Sequence, residues 1–176
     1  KCKRLIYLIY SAVMLRVIDN FIERSKWNQF RNILTSSDIN WFYQKHMVQT
    51  GKNPDNFYFA HIFFHKNTIN SPFYDPFIVE CLERLKVAAT ISVRANMYLR
   101  TGERYYSNWH TDNKLKGATT AVLYVNSNDG GTEFKDTNEF VQSEENRIVI
   151  FPSETQHRVK TQLSTPNRIV INFNYF

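Results

Sequence analysis

Arg168-Ile169-Val170-Ile171-Asn172-Phe173-Asn174-Tyr175-Phe176 is the stretch from which the fold is best read. In extended form it places Arg168, Val170, Asn172, Asn174 and Phe176 on one face of a strand. Working back from it, the pattern has period two as far as residue 90. Candidate strands cover 90–100, 105–111, 119–125, 132–134, 140–142, 147–151, 157–161 and 167–176. Between them, Asn128-Asp129-Gly130-Gly131 reads as a hairpin turn in which glycine supplies positive φ. Eight short strands with such turns predict a mostly β protein with a double-sheet jelly-roll core, the cupin-like double-stranded β-helix.

Residues 20–89 read as helical support for that core, within a single domain spanning 1–176. Asp19 or Asn20 is placed to cap a helix over 22–34, with Ile22, Trp27, Phe30, Ile33 and Leu34 forming its stripe. A second helix is expected over 71–89, entered through Pro72 and Pro76. Short strands are expected at 16–19, 39–43 and 57–65, with a turn-rich loop at 51–56. His61 and His65 share a strand face with no acidic partner beside them, so ordinary sheet histidines are the simpler reading than a metal pair.

At 176 residues the chain is long enough for a substantial core, and 43% apolar with 22% charged residues is ordinary for a globular protein. Cys2 and Cys81 match no metal or redox spacing and read as free thiols in a reducing, cytoplasmic compartment. The net charge of +6 leans mildly toward anionic partners. Lys1, Lys3 and Arg4 before an apolar run at 5–15 imitate a signal peptide, but the run is too short to span a bilayer and lacks a convincing cleavage site. Met14 is an alternative natural start.

The chemistry is carried by Trp109-His110-Thr111-Asp112. His110 and Asp112 are two apart, so on a strand ending there they project to the same side. His157 opens a later strand, where a jelly roll can bring it alongside. Two imidazoles and one carboxylate form the facial ligand set of non-haem Fe(II) sites, which leaves positions open for a co-substrate and O2. An H-x-D is weak by itself. Arg168, on an otherwise apolar strand just after His157, strengthens it, because a guanidinium there can grip a carboxylate through two hydrogen bonds.

Several blocks in order resemble the Fe(II)/2-oxoglutarate dioxygenases of the prolyl-hydroxylase-like branch, with small stand-alone members, some phage-encoded, most alike. They are Arg94-Ala-Asn-Met-Tyr98, Asn108-Trp-His-Thr-Asp112, Leu123-Tyr-Val-Asn126, Gly130-Gly-Thr-Glu-Phe134, Asn146-Arg-Ile-Val-Ile-Phe-Pro152, His157 and the terminal run from Arg168. The resemblance implies His110, Asp112 and His157 as iron ligands and Arg168 as the partner of the distal carboxylate of 2-oxoglutarate. It implies Tyr98 and Tyr124 as hydroxyls of the co-substrate pocket, and Asn96 can reach the same pocket from the face of Tyr98. The implied cofactors are Fe(II), 2-oxoglutarate and O2, with ascorbate as an auxiliary reductant. The implied products are succinate, CO2 and a hydroxylated substrate.

The substrate is less legible. Hydroxylation of a peptide or protein side chain, prolyl among the candidates, or of a small molecule is the first expectation. Asn172 and Asn174 face the site where protein prolyl hydroxylases often carry other residues. The alternative is oxidation of nucleic-acid bases, since Asn96-x-Tyr98, Gly102 and the H-x-D are similar to AlkB-type demethylases. Arg100, Arg104, Lys114, Lys116, Arg158 and Lys160 would then form a basic rim for phosphates. Asn174 stands where that family has a second arginine, which counts against it. A non-catalytic jelly-roll binding or virion module is the alternative of another class. No membrane span is expected, and a phage-encoded enzyme would act in the host cytoplasm.

Overall fold

The computed structural model describes residues 15–45 and 57–176. The signal-like N-terminal run, Cys2, Met14 and the loop at 51–56 lie outside the described residues. The first elements are β1 (Arg16–Ile18), α1 (Arg24–Leu34), β2 (Phe42–Gln44), β3 (Tyr58–His65), β4 (Thr68–Ile69) and a π-helical turn (Tyr74–Ile78) continuous with α2 (Val79–Leu85). Seven strands follow: β5 (Thr90–Leu99), β6 (Thr119–Tyr124), β7 (Gly131–Phe134), β8 (Phe140–Gln142), β9 (Arg147–Pro152), β10 (His157–Lys160) and β11 (Asn167–Tyr175).

These strands make two antiparallel sheets. The larger has the order β1-β9-β6-β11-β5-β3-β2, with β4 beside β3, and the smaller has the order β10-β7-β8. This is the expected jelly-roll arrangement. Alternation along each strand divides the core into two layers. On the outer face of the large sheet, Val93, Ala95, Leu123, Ile148, Ile171 and Phe173 pack against Trp27, Phe30 and Leu34 of α1 and Ile78 and Cys81 of the second helical segment. Between the sheets lies a smaller cluster that includes Tyr98, Val122, Tyr124, Phe134, Phe151 and Val170. Burial pushes the Cys81 thiol far up from its ordinary value, so it is an inert packed side chain.

The N-terminal half departs from the sequence reading in instructive ways. It gives less helical support than 20–89 suggests: the strands expected at 39–43 and 57–65 form as β2 and β3 and, with β4, extend the large sheet. Helix α1 is capped by Glu23, whose carboxylate accepts from the Ser25 and Lys26 amides, where the helix dipole favours negative charge. Asp19 is instead held by Arg147, and Asn20 takes a left-handed turn with φ 52°. The second helix is shorter than 71–89. It ends at Leu85, with Lys86 left-handed at φ 56°, because Ala88 and Ala89 pair through their amides with the Phe176 carbonyl. His61 is buried and held by the Asn40 carbonyl and the Ser71 hydroxyl at 2.8 Å each, whereas His65 is exposed.

Two corrections bear on the site. Asn128–Gly131 is not a hairpin turn: it carries the chain from β6 in one sheet to β7 in the other. Neither glycine has positive φ. A Cβ at Gly130 would lie 2.7 Å from the Lys160 carbonyl oxygen, and one at Gly131 would lie 2.3 Å from that of Val141. Close backbone approach, not turn conformation, requires them. Second, 105–111 is not a continuous strand. It pairs with β10 in two isolated bridges, at Tyr106–Lys160 and His110–His157. One residue more separates the bridges on the first strand than on the second, which is the signature of a bulge.

Candidate active site

The bulge re-aims the chain at the ligand set. His110 and His157 hydrogen-bond each other's backbone at 3.0 and 2.9 Å, so the two imidazoles sit side by side with ring centroids 4.4 Å apart. Asp112 follows in a bend beyond the bridge, not on the strand face that the sequence spacing predicts. Its Oδ1 lies 3.8 Å from His110 Nε2 and 3.5 Å from His157 Nε2. The three side chains are 14%, 6% and 5% exposed for His110, Asp112 and His157.

Each ring is oriented from behind. Nδ1 of His110 lies 3.0 Å from the Asn108 carbonyl, and Nδ1 of His157 lies 3.0 Å from the Thr155 carbonyl. Because carbonyls only accept, Nδ1 carries the proton in both, and both Nε2 lone pairs turn toward Asp112. Burial and the neighbouring His157 push the His110 imidazole below its ordinary pKa, which favours the neutral form that can ligate. For Asp112, burial works against ionisation. The neighbouring His157 and His110 imidazoles outweigh it, and the carboxyl stays below its usual range. Among the described residues, these three are the group of His, Cys, Asp or Glu side chains able to hold a metal ion.

The triad opens into a cavity between the two sheets. Arg168, Tyr98, Asn96 and Asn172 line it, as the strand alternation requires. Opposite pairing of β5 and β11 sets Arg168 against Tyr98 and Asn172 against Arg94. Arg168 is 1% exposed, yet its Nε and Nη1 have no hydrogen-bond partner. Its guanidinium lies between the rings of Tyr98 and Tyr124, 5.5 Å from each centroid. Burial pushes Arg168 down and both tyrosine hydroxyls up, so the tyrosines remain neutral donors. Tyr124 stands behind the guanidinium, not in the cavity wall, and its hydroxyl donates to Thr132 Oγ1 at 2.9 Å.

The remaining expected residues separate. Asn174 lies in an adjoining groove, with its Oδ1 2.9 Å from the Thr120 hydroxyl and 3.3 Å from Asn113 Nδ2. Arg100 is exposed beyond the end of β5 and does not line the cavity. Arg104 is likewise removed: it is bound to the Asp129 carboxylate and to the Asp129 and Thr161 carbonyls. The expected basic rim is neutralised further along, where Arg158 pairs with Glu133 at 2.7 Å and lies over the rings of Tyr106 and Trp109. Two polar lining residues escaped sequence reading, Tyr58 and Thr132. Tyr58 stacks on Tyr98 at 5.7 Å. Nothing in its own segment marks it, and only the pairing of β3 with β5 brings it to the site.

The unpaired atoms test what the cavity holds. Asp112 Oδ2, Asn96 Oδ1, Asn172 Oδ1 and the two Arg168 nitrogens are all buried without partners. A buried guanidinium without a partner is costly, and native proteins seldom leave one unless a ligand completes it. A metal ion on the triad and a carboxylate on Arg168 complete the set, so these residues fit iron and an anionic keto acid.

Comparison with known proteins agrees with that donor set. Residues 93–176 match the sequence profile of the 2OG-Fe(II) oxygenase superfamily, and this segment contains the triad and Arg168. That segment, the C-terminal part of the chain, is similar to the superfamily. No curated protein sequence matches the chain significantly. Among solved structures, a 2OG-Fe(II) oxygenase family oxidoreductase from Burkholderia pseudomallei superposes with a TM-score of 0.70 at 8% identity, covering 92% of this chain and 84% of that one. A viral collagen prolyl hydroxylase from Paramecium bursaria Chlorella virus-1, in complex with 2-oxoglutarate, gives 0.57 at 13%, covering 91% and 94%. HygX from Streptomyces hygroscopicus, with nickel, 2-oxoglutarate and hygromycin B bound, gives 0.58 at 10%, covering 95% and 84%. Identities this low carry the fold. No described helix is long and apolar enough to cross a membrane.

Proposed function

We propose that this oxygenase hydroxylates a C–H bond of a peptide or protein side chain, or of a small molecule, with succinate and CO2 as co-products. The observation that carries the reading is the buried guanidinium of Arg168, with its Nε and Nη1 unpaired, lining the cavity that holds His110, Asp112 and His157. Those three would hold Fe(II), and Arg168 would grip the distal carboxylate of 2-oxoglutarate. Iron with 2-oxoglutarate and O2 supplies the oxidising chemistry: one oxygen atom goes to the substrate and the other to succinate. The protein's own part is positional. The Asn108 and Thr155 carbonyls hold the imidazole rings in the ligating tautomer. Tyr98 and Asn96 offer polar groups to the co-substrate, and Val122, Val159 and Val170 keep the cavity wall dry.

Collagen and hygromycin B, named with two of the structural relatives, span the peptide and small-molecule alternatives. Nucleic acid is the weaker reading, because Arg104 and Arg158 are already neutralised within the protein. The test is anaerobic. Fe(II) and 2-oxoglutarate added to the protein should give a visible metal-to-ligand charge-transfer band, absent in Asp112→Ala. A folded wild-type protein with no band would sink the proposal and leave a binding module in its place.

A further inference from the structure

Arg94 is the charged residue of the cavity that the chemistry above does not employ. It lies on β5 two residues before Asn96, on the same face, and lines the cavity beside the triad. It also lines an adjoining groove with Phe64, His65, Ser92 and Asn174. Arg94 therefore stands where the metal cavity opens into the groove, and the groove continues past Asn113 and Lys66. The side chain is half-buried, and among the described residues it forms no ion pair and no hydrogen bond. Its other neighbours in the cavity supply no counter-charge. Asp112 is the one described carboxylate there, and its Oδ1 faces the two ligating imidazoles.

Charge balance sharpens the point. In the loaded site the two positive charges of the metal and the one of Arg168 are matched by Asp112 and the two carboxylates of 2-oxoglutarate. The tyrosines are neutral, and the imidazoles ligate in neutral form. Arg94 is left over as one uncompensated positive charge, half-buried beside the metal site, where an opposite charge is favoured. A second anion would remove it.

We propose that Arg94 is a specificity-determining residue that binds a carboxylate of the primary substrate, so that the oxidised C–H lies within a few bonds of an acidic group. This rests on the oxygenase reading above. A planar carboxylate can take two parallel bonds from the guanidinium fork. It can come from a free acid or from an acidic residue of a peptide threaded along the groove.

The test uses the full chain loaded with Ni(II) and 2-oxoglutarate, which prevents turnover. Binding is read by thermal shift and calorimetry for two sets of probes. One set pairs free amino acids with their amides. The other pairs blocked pentapeptides carrying a central Glu with the same peptides carrying Gln. An acid is expected to bind about ten-fold or more tightly than its amide, a difference that vanishes in Arg94→Gln. The affinity for 2-oxoglutarate itself should stay within about two-fold in that variant. The set that shows the preference identifies the source of the carboxylate. Absence of any acid preference in the wild type overturns the proposal, as does a preference that survives Arg94→Gln. A large loss of 2-oxoglutarate affinity in the variant would assign Arg94 to the co-substrate instead. If Arg94→Gln does not fold, Arg94→Met replaces it, and the wild-type comparison of acid with amide still decides. Failure of the wild type to bind 2-oxoglutarate at all would remove the oxygenase reading, a distinct result.

Discussion

Strands β5 and β11 lie side by side in the large sheet, and their two faces have opposite chemistries. Toward the helices they present Val93, Ala95, Ile169, Ile171 and Phe173, all 0–1% exposed and wholly apolar. Toward the smaller sheet the same strands present Arg94, Asn96, Tyr98, Arg168 and Asn172, several with buried polar atoms lacking partners. One backbone ladder supports both. The apolar face supplies stability at ~25 cal/mol per Å² removed from water. The cavity face carries groups that cost ~1–3 kcal/mol each while unpaired. A metal and a dicarboxylate offset that cost when they bind, so affinity for them is stored as unsatisfied polar atoms. Substitutions on one face should therefore move stability, and on the other, function.

The largest effect is expected from Asp112→Ala. It should abolish succinate formation, a loss beyond the ~10–100-fold typical of contacts outside the ligand set. The melting temperature of the metal-free protein should not fall, since a buried carboxylate with one unpaired oxygen is removed. A melting temperature that drops as activity does would break the division between the faces.

Phe173→Ala, on the helix side, should cost ~3–5 kcal/mol in denaturant unfolding, because a fully buried ring is replaced by a cavity. The 2-oxoglutarate requirement of whatever folds should be unchanged. Arg168→Ala should do the converse. The 2-oxoglutarate requirement should rise by the ~2–3 kcal/mol of a charge-assisted two-bond contact, while metal-free stability holds or improves. Addition of 2-oxoglutarate with metal should raise the wild-type melting temperature and leave that of Arg168→Ala nearly unmoved.

The smallest effect belongs to Asp129, at the crossing between the sheets. Burial works against its ionisation, but the Ser164 and Leu163 amides, Arg104 and the Ser164 hydroxyl outweigh it and hold its carboxyl well below the ordinary range. The group is partly exposed, so Asp129→Asn should cost only ~1 kcal/mol near neutral pH. The sign follows from the depressed value. The wild-type advantage is fully present above the unfolded pKa of ~3.9 and is lost as pH falls through the lower folded value. Unfolding curves of the two proteins should thus converge in acid. A gap that widened in acid would mean that Asp129 acts otherwise.

Much of this was legible beforehand. Seven of the eight candidate strands read by period-two alternation from residue 90 coincide with β5 to β11, and the face of Arg168, Val170 and Asn172 turned inward as alternation requires. The eighth segment, 105–111, failed because a bulge leaves no local mark in composition: Tyr105 to Thr111 has strand-like residues but pairs at only two points. The helix over 71–89 was too long, because Ala88 and Ala89 have good helix propensity but find a better partner in Phe176. Arg104 was assigned to the substrate because its charge is visible in sequence and its Asp129 partner is not.

By itself, the sequence determined the alternation of faces, the donor types and the order of blocks, since these depend on residues close together in the chain. Tertiary structure alone decided that His110, Asp112 and His157 converge, that Tyr58 joins Tyr98, and that Arg94 and Arg168 open on one cavity while Arg104 and Arg158 are neutralised elsewhere. The physical reason is range. Side-chain period is a local property of the backbone, whereas pairing of charges and convergence of ligands depend on which strands become neighbours, and those neighbours lie tens of residues apart in the chain.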